Sequence, residues 1–295
     1  MTGKSSKFKL SLSPTFVFIS PTIILLLFLG AFPLALSFFY SVNWYNPLIT
    51  GDKLRFVGFD NYTSLLLSPE FWSAIQVTLL FATLAVSIEF LLGLGLALLL
   101  FDIGEFRGIG VVRTLVTTPL LMPPLIVGLM FRYMFQYDYG LFNQILAALG
   151  LQQVDWLGFG LTSFISWLIT DVWHWFPFMF LVLLAGLYTV PTEQIEAASV
   201  EGASRWQLFR HIIVPWMKPV SLVVLVIRTI DVIKEVDKVY ILTFGGPGSA
   251  TTSVAFGAFL TAFEFWHVGL GAAYSYLILL MINILFLVLL KFIKR

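Results

Sequence analysis

The stretch Glu196-Ala197-Ala198-Ser199-Val200-Glu201-Gly202-Ala203-Ser204-Arg205-Trp206-Gln207-Leu208-Phe209-Arg210-His211-Ile212-Ile213-Val214-Pro215 lies between two long apolar segments and decides how the rest of the chain is read. It suits two short helices, over 192–203 and 204–213. Glu193 and Glu196 fall in the first turns after Pro191, where carboxylates favour the helix dipole. Ala197 and Ala198 carry no bulk, so a partner surface can approach closely. Gly202 supplies a positive φ or room for a close neighbour, as a bend between helices requires. Trp206, Phe209 and Ile213 recur at helical spacing as an apolar anchor, while Arg205 and Arg210 suit water or a partner carboxylate. Pro215 and Pro219 are expected to end the segment before the next span. The plain alternative is a membrane-parallel helix that merely links two spans.

The surrounding chain calls for a bilayer. It is 59% hydrophobic and 11% charged, with a mean hydropathy of +0.94 and 30 Phe among 295 residues. A soluble domain averages about 25% charged residues, and so few charges cannot cover a water-facing surface without large apolar patches. The net charge of +1 offers nothing to nucleic acid. The absence of cysteine excludes disulfides, thiol catalysis and a Cys-type zinc site. His174, His211 and His267 belong to different elements, and neither His-Glu-x-x-His nor Gly-x-Ser-x-Gly occurs, so an intramembrane enzyme has no centre to use and no catalytic or metal residue is assigned. Gly3-Lys4-Ser5 lacks the upstream glycine and preceding strand of a phosphate loop, so the chain does not hydrolyse ATP itself.

Six apolar segments are long enough to cross, at roughly 15–40, 72–101, 111–136, 163–188, 219–243 and 267–291. The first runs from about Pro14 to Tyr40, too long for a secretory signal core, and is read as an uncleaved helix. Lys4, Lys7, Lys9, Arg107, Arg113, Arg205, Arg210, Lys218, Lys291, Lys294 and Arg295 gather on one side, against Lys53 and Arg55 on the other. That bias places both termini and the Glu196–Pro215 loop in the cytoplasm. The expected organisation is a cytoplasmic 1–14, one six-helix membrane domain over 15–291 with a loop at 190–218, and a cytoplasmic 292–295. A short helix is expected at 140–150, ending on Gly150.

The Glu-Ala-Ala triplet, Gly202, Ile212 and Pro215 together resemble the cytoplasmic coupling loop of bacterial ABC importer permeases. Further stretches resemble the carbohydrate branch of that family, which includes the maltose and glycerol-phosphate systems. They are Phe56-Val57-Gly58-Phe59-Asp60-Asn61-Tyr62, Tyr139-Gly140-Leu141-Phe142-Asn143, Trp173-His174-Trp175-Phe176-Pro177-Phe178 and Leu242-Thr243-Phe244-Gly245-Gly246-Pro247-Gly248. Val214, where Leu is usual, is a minor departure. The resemblance is strongest to the partner similar to the larger maltose permease, without its large outer insert. It implies an all-α membrane protein with the six-helix type I ABC importer permease fold and cytoplasmic coupling helices, set in the bacterial inner membrane. It implies, as partners, a second permease subunit, two ATPase subunits holding the ATP and Mg, and an external solute-binding protein. This chain itself would bind no cofactor. Glu196, Ala197, Ala198, Gly202, Ile212 and Pro215 would couple to the ATPase, and the cargo would be a sugar or sugar derivative. An amino-acid or other small-solute importer permease is the nearer alternative. A secondary transporter is the further one, since it leaves the coupling loop unexplained.

Ionisable groups at bilayer depth mark functional positions by default. They are Glu89, Arg132, Asp171, Arg228, Asp231, Lys234, Glu235, Asp237 and Lys238. Along the fifth span Asp231 faces Lys234 and Glu235 at i+3 and i+4. Carried over from the maltose permease, the solute path would involve Trp173, His174, Trp175 and Phe178, then Arg228, Val232 and Glu235, and Asp231 joins them as a candidate on the same charged span. Aromatic rings suit the flat faces of sugars, and polar groups suit their hydroxyl rims. Two of the fifth-span positions are charged here and small or amide in the maltose permease. That leaves pairing with the other permease half, or a gating salt-bridge network, as alternatives to solute contact.

Overall fold

The computed structural model describes residues 14–51, 53–104 and 107–293. The termini assigned to the cytoplasm, with Lys4, Lys7, Lys9, Lys294 and Arg295, lie outside the described residues. Five continuous helices are long and apolar enough to cross a membrane: Phe18–Ser41, Pro69–Ile103, Gly160–Leu187, Arg205–Ile233 and Val268–Val288. A further pair, Ile109–Leu121 and Pro124–Met134, is together long and apolar enough as well but is bent by 96°, and counted as one broken span it brings the total to six. In chain order these are the first to sixth spans, the broken pair being third and Arg205–Ile233 fifth. The end bearing Glu196–Pro215 is called inner.

The second and fourth spans form the core and pack along most of their length. Small residues permit this approach: a side-chain carbon added at Gly93 would stand 2.7 Å from Met179 Cβ and 2.8 Å from the Phe180 backbone nitrogen. Such small-residue contacts replace the hydrophobic drive that lipid removes. Toward the outer end the rings of Phe81 and Trp167 stack with centroids 3.4 Å apart. The first span lies on the sixth, where the Tyr276 hydroxyl donates to the Leu34 carbonyl at 2.6 Å. None of its most apolar window is buried within the chain.

Between the first and second spans the outer segment is pinned rather than loose. A two-stranded antiparallel ladder pairs Asn43 with Phe56 and Trp44 with Arg55, the single β element in an otherwise helical chain among the described residues. The Asn61 amide, buried at 6% exposure, donates to the carbonyls of Ser41 and Asn43 at 2.9 and 3.0 Å. The expected outer helix is present at Leu141–Ala148. Gly150, at φ +72°, closes it: Leu151 N–H reaches Leu146 O and Gly150 N–H reaches Ala147 O.

Three expectations require correction. The third span is not straight over 111–136. Pro119, Pro123 and Pro124 remove backbone donors, and Met122 takes the extended conformation that a following proline imposes, so the helix turns sharply there. The fifth span does not begin near 219. Its helix runs unbroken from Arg205, and Pro215 and Pro219 lie within it instead of ending the segment. A π turn at Phe209–Ile213 precedes the prolines and re-routes the backbone bonds around the missing donors. The same span stops at Ile233 and restarts as Asp237–Leu242. Finally, the helical stretch Val254–Glu264, unforeseen in the sequence, precedes the sixth span and is capped by the Ser253 hydroxyl on Phe256 N–H.

Candidate functional site: coupling helices and a buried ion cluster

At the inner end the first of the two expected short helices forms at Thr192–Val200. It closes as a Schellman turn, with Ala203 N–H on Ala198 O at 2.9 Å, Gly202 N–H on Ser199 O at 3.0 Å, and Gly202 at φ +87°. No atom lies within 4 Å of a side-chain carbon built on Gly202, so the glycine answers to backbone conformation and leaves its face open within this chain. Ser204 and Gln207 then cap the following helix reciprocally. Ala198, Gly202 and Ile212 line a shallow notch between the two helices. Glu196 and Ala197 are exposed beside it, and Pro215 is exposed farther along the same helix. Arg205 pairs with Asp102, at the inner end of the second span, at 2.7 Å. This exposed pair links the second short helix to the second span beside a groove lined by Leu98, Phe101, Ile195 and Phe209. Of the apolar anchor, Phe209 and Ile213 reach the bundle, whereas Trp206 stays 65% exposed against Phe209.

Deep in the bundle five charged side chains meet: Glu89, Asp171 and Arg228 from three spans, Glu235 from the link after the fifth, and Lys238 from the helix that follows. Arg228 grips Glu89 with two parallel bonds, Nε to Oε2 at 2.7 Å and Nη2 to Oε1 at 2.9 Å. Its Nη2 also reaches Asp171 Oδ2 at 2.5 Å. Lys238 Nζ lies 2.5 Å from Asp171 Oδ1 and 3.1 Å from Glu235 Oε2. Glu89, Asp171, Arg228 and Lys238 are sealed from solvent within this one chain. Planar, forked guanidinium geometry makes arginine suited to a buried carboxylate pair. Trp175 covers the cluster, its ring 4.8 Å from the Arg228 guanidinium carbon, where Nη1 has no hydrogen-bond partner. Glu235 serves the backbone as well: its Oε1 accepts Lys238 N–H at 3.1 Å at the start of Asp237–Leu242, where a carboxylate also suits the helix dipole.

The remaining positions fall into place around this cluster. His174 is buried and its Nε2 donates to the Met122 carbonyl at 3.1 Å, satisfying a group freed by the third-span break. Trp173 packs edge-on to Phe131 with centroids 5.3 Å apart, and Phe178 lies edge-on to Trp175. Val232 is buried. Asp231 faces the other way and pairs with Lys234 at 3.2 Å, their side chains 37% and 55% exposed. Arg228 and Glu235 therefore find their counter-ions inside this chain, and pairing with another subunit is not what neutralises them. The sequence contained both halves of each pair. Helical spacing reveals Asp231–Lys234, but it cannot join Glu89 to Arg228 across 139 positions, and Glu235 reaches Lys238 from the link where the helix is broken.

A bundle of six membrane crossings, with a paired helix exposed at its inner end and charges at its centre, is the architecture of a membrane permease. Residues 91–295 match the family described as "Binding-protein-dependent transport system inner membrane component", and the chain belongs to that family, the permeases of ABC transporters, which are not themselves catalytic. It is 43% identical over 225 residues to the trehalose/maltose transport system permease protein of Thermococcus litoralis, covering 75% of this chain and 74% of that one. It is 34% identical over 255 residues to the sulfoquinovosyl glycerol transport system permease protein of Agrobacterium fabrum, covering 86% and 82%. Among solved structures, one of a bacterial ABC transporter involved in the import of the acidic polysaccharide alginate matches with a TM-score of 0.82. The match is 22% identical and covers 95% of both chains, and it establishes the type I ABC importer permease fold.

Proposed function

We propose that this chain is one membrane-spanning half of an ABC importer that carries a sugar or sugar derivative into the cytoplasm. On this reading it sits in the bacterial inner membrane with both termini cytoplasmic. Partner ATPase subunits holding ATP and Mg supply the energy. A second permease completes the path, and an external solute-binding protein delivers the cargo. The observation that carries the reading is identity to a named trehalose/maltose permease at 43% over three-quarters of the chain. The exposed helix pair at Thr192–Ile213, with its open notch beside Gly202, supports a grip on the ATPase. There Glu196, Ala197, Ala198, Gly202 and Ile212 would meet the partner, and Pro215 would sit just beyond.

Exposure supports a reading of the path. A charged pair at bilayer depth that is open on its own chain requires water or another subunit against it. Asp231 and Lys234 are such a pair, so they face the path or the second permease. Arg228, Glu235 and His174 act instead as the brace behind it, with Trp173, Trp175, Phe178 and Val232 packed around them. The test is ATPase activity of the assembled complex in lipid, with its binding protein, across neutral sugars, anionic sugars and amino acids. Stimulation by a sugar class is the expected result, and stimulation by amino acids alone would overturn the reading.

A further inference from the structure

At the outer end, a cavity of about 310 Å³ opens where three elements meet: the end of the third span, the loop before the fourth, and the end of Asp237–Leu242. This volume lies at the lower end of the roughly 300–1,000 Å³ typical of small-molecule sites. Its lining is unlike the rest of this apolar chain, with Arg132, Gln136, Tyr137, Asp155, Thr243 and Phe244 all bordering it. The cavity is built and not incidental. Arg132 Nη1 donates to the Ile241 carbonyl at 2.7 Å, which ties the third span to the last turn of Asp237–Leu242. Asp155 Oδ1 accepts Gly158 N–H at 2.9 Å, fixing the opposite wall. The Gln136 amide and the Tyr137 hydroxyl make no hydrogen bond among the described residues, and both side chains stand at the rim. Phe244, 51% exposed, borders the cavity and packs against Tyr240 and Phe256 with ring centroids 5.4 and 5.6 Å away. Its backbone is held at φ +51°, a conformation a bulky residue adopts only where its surroundings enforce it.

We infer that this cavity is an outer-mouth subsite that receives one neutral, hydroxyl-bearing sugar ring before the solute reaches the centre of the membrane. The inference rests on the proposed sugar-importer function. The chemistry matches feature by feature. An exposed aromatic ring offers a flat apolar face. A free amide, a phenol and the uncommitted donors of Arg132 can take hydroxyls in either sense. Arg132 and Asp155 balance one another in charge, which favours a neutral ring over an anionic one. The site is separate from the buried cluster and from the Asp231–Lys234 pair, and it borders the loop that begins with Thr243-Phe244-Gly245-Gly246-Pro247.

The chain contains no cysteine, so a single introduced one reports without background from this subunit. The experiment places Leu157→Cys, at a lining position that supplies none of the proposed sugar contacts, in the complete complex in lipid with cysteine-free partners, and follows alkylation by a maleimide. Trehalose, maltose and sulfoquinovosyl glycerol are each added free and on the binding protein, with sugar-free binding protein as the control. Uptake is recorded in the same vesicles. Trehalose or maltose at ten times its dissociation constant should slow alkylation about tenfold by simple occupancy, while sulfoquinovosyl glycerol should protect less. Unchanged labelling in vesicles that still import sugar overturns the subsite and leaves the proposed function standing. Equal protection by sugar-free binding protein overturns it in favour of a protein-docking contact. Failure to label in the resting complex overturns it too, because the cavity is then covered by the second permease. Amino-acid uptake without sugar uptake removes the proposed function itself, and the subsite falls with it.

Discussion

Replacing Arg228 by leucine should do more damage than replacing Arg228 and Glu89 together. The side chain of Arg228 is 1% exposed and supplies two bonds to Glu89 and one to Asp171. Removing it leaves the Glu89 carboxylate, also sealed from solvent, with no cation, whereas Asp171 retains Lys238. Breaking one partner of a buried pair costs about 3–5 kcal/mol, mostly for the stranded charge. Removing both charges with apolar residues of similar volume is often neutral, because neither group then has to be desolvated. Glu89→Leu/Arg228→Leu should therefore lie within about 2 kcal/mol of the parent, the remaining cost reflecting the cation that Asp171 loses.

The measurement is the midpoint of thermal unfolding of the purified complex in one detergent at one heating rate, since such unfolding is commonly irreversible. At about 2–4 °C per kcal/mol, the single variant should fall by roughly 6–20 °C and the double should regain at least about a third of that. Arg228→Lys should lie between parent and Arg228→Leu, because an ammonium keeps the charge but cannot reproduce the forked bond. Two results would refute the reasoning: an Arg228→Leu midpoint within 2 °C of the parent, or a double variant no more stable than the single. Transport supplies an independent arm. With Arg228 sealed behind the path, a folded double variant should keep its preference among sugars. A change of preferred sugar would return Arg228 to direct solute contact.

Gly93→Ala would drive a methyl group into Met179 Cβ and the Phe180 backbone at 2.7 and 2.8 Å, neither of which can rotate away. Overpacking of this kind costs about 1–3 kcal/mol, so a lower unfolding midpoint is expected, and no change would mean the second and fourth spans separate freely. His174→Phe strands the Met122 carbonyl at the third-span break, at a cost of about 1–3 kcal/mol. His174→Gln, which can still donate, should recover part of that stability, and equal loss in both variants would argue against the hydrogen bond. Gly202→Ala meets no neighbour and should lose only about 1 kcal/mol to backbone strain. Gly202→Asp carries the same strain plus a charge facing the partner, so uptake and ATPase retention should fall far below the alanine variant. Equal uptake by the two would count against ATPase docking at this turn.

The sequence disclosed what depends on local order and withheld what depends on distance. Crossing segments appear as apolar runs because lipid contact requires nothing else of them. The turn at Gly202 and the helix end at Gly150 were readable because a positive φ is a demand on one residue. The break in the third span was written in Pro119, Pro123 and Pro124, but hydropathy averages over a window and does not register a bend. The early start of the fifth span was hidden for the opposite reason. Pro215 and Pro219 read as terminators in water-soluble helices, yet the π turn at Phe209–Ile213 carries the backbone past them.

The fifth span shows why a charge-rich stripe cannot be assigned from sequence as a single surface. At about 100° per residue, Val232 lies about 40° to one side of Arg228 and Asp231 about 60° to the other, whereas Glu235 reaches the cluster from the link between Ile233 and Asp237, beyond the end of the helix. The stripe is therefore two faces. One meets Glu89 and Asp171 of neighbouring spans and vanishes into the chain. The other carries an ion pair 3.2 Å long and more than a third exposed, with Lys234 bordering a surface pocket shared with Ala255 and Phe259. Burying the first face is possible because the anions and the forked cation satisfy one another in place. Leaving the second face against lipid would cost several kcal/mol per charge. The exposed Asp231–Lys234 pair, rather than the most buried charges, is thus where the proposed path or second subunit is expected.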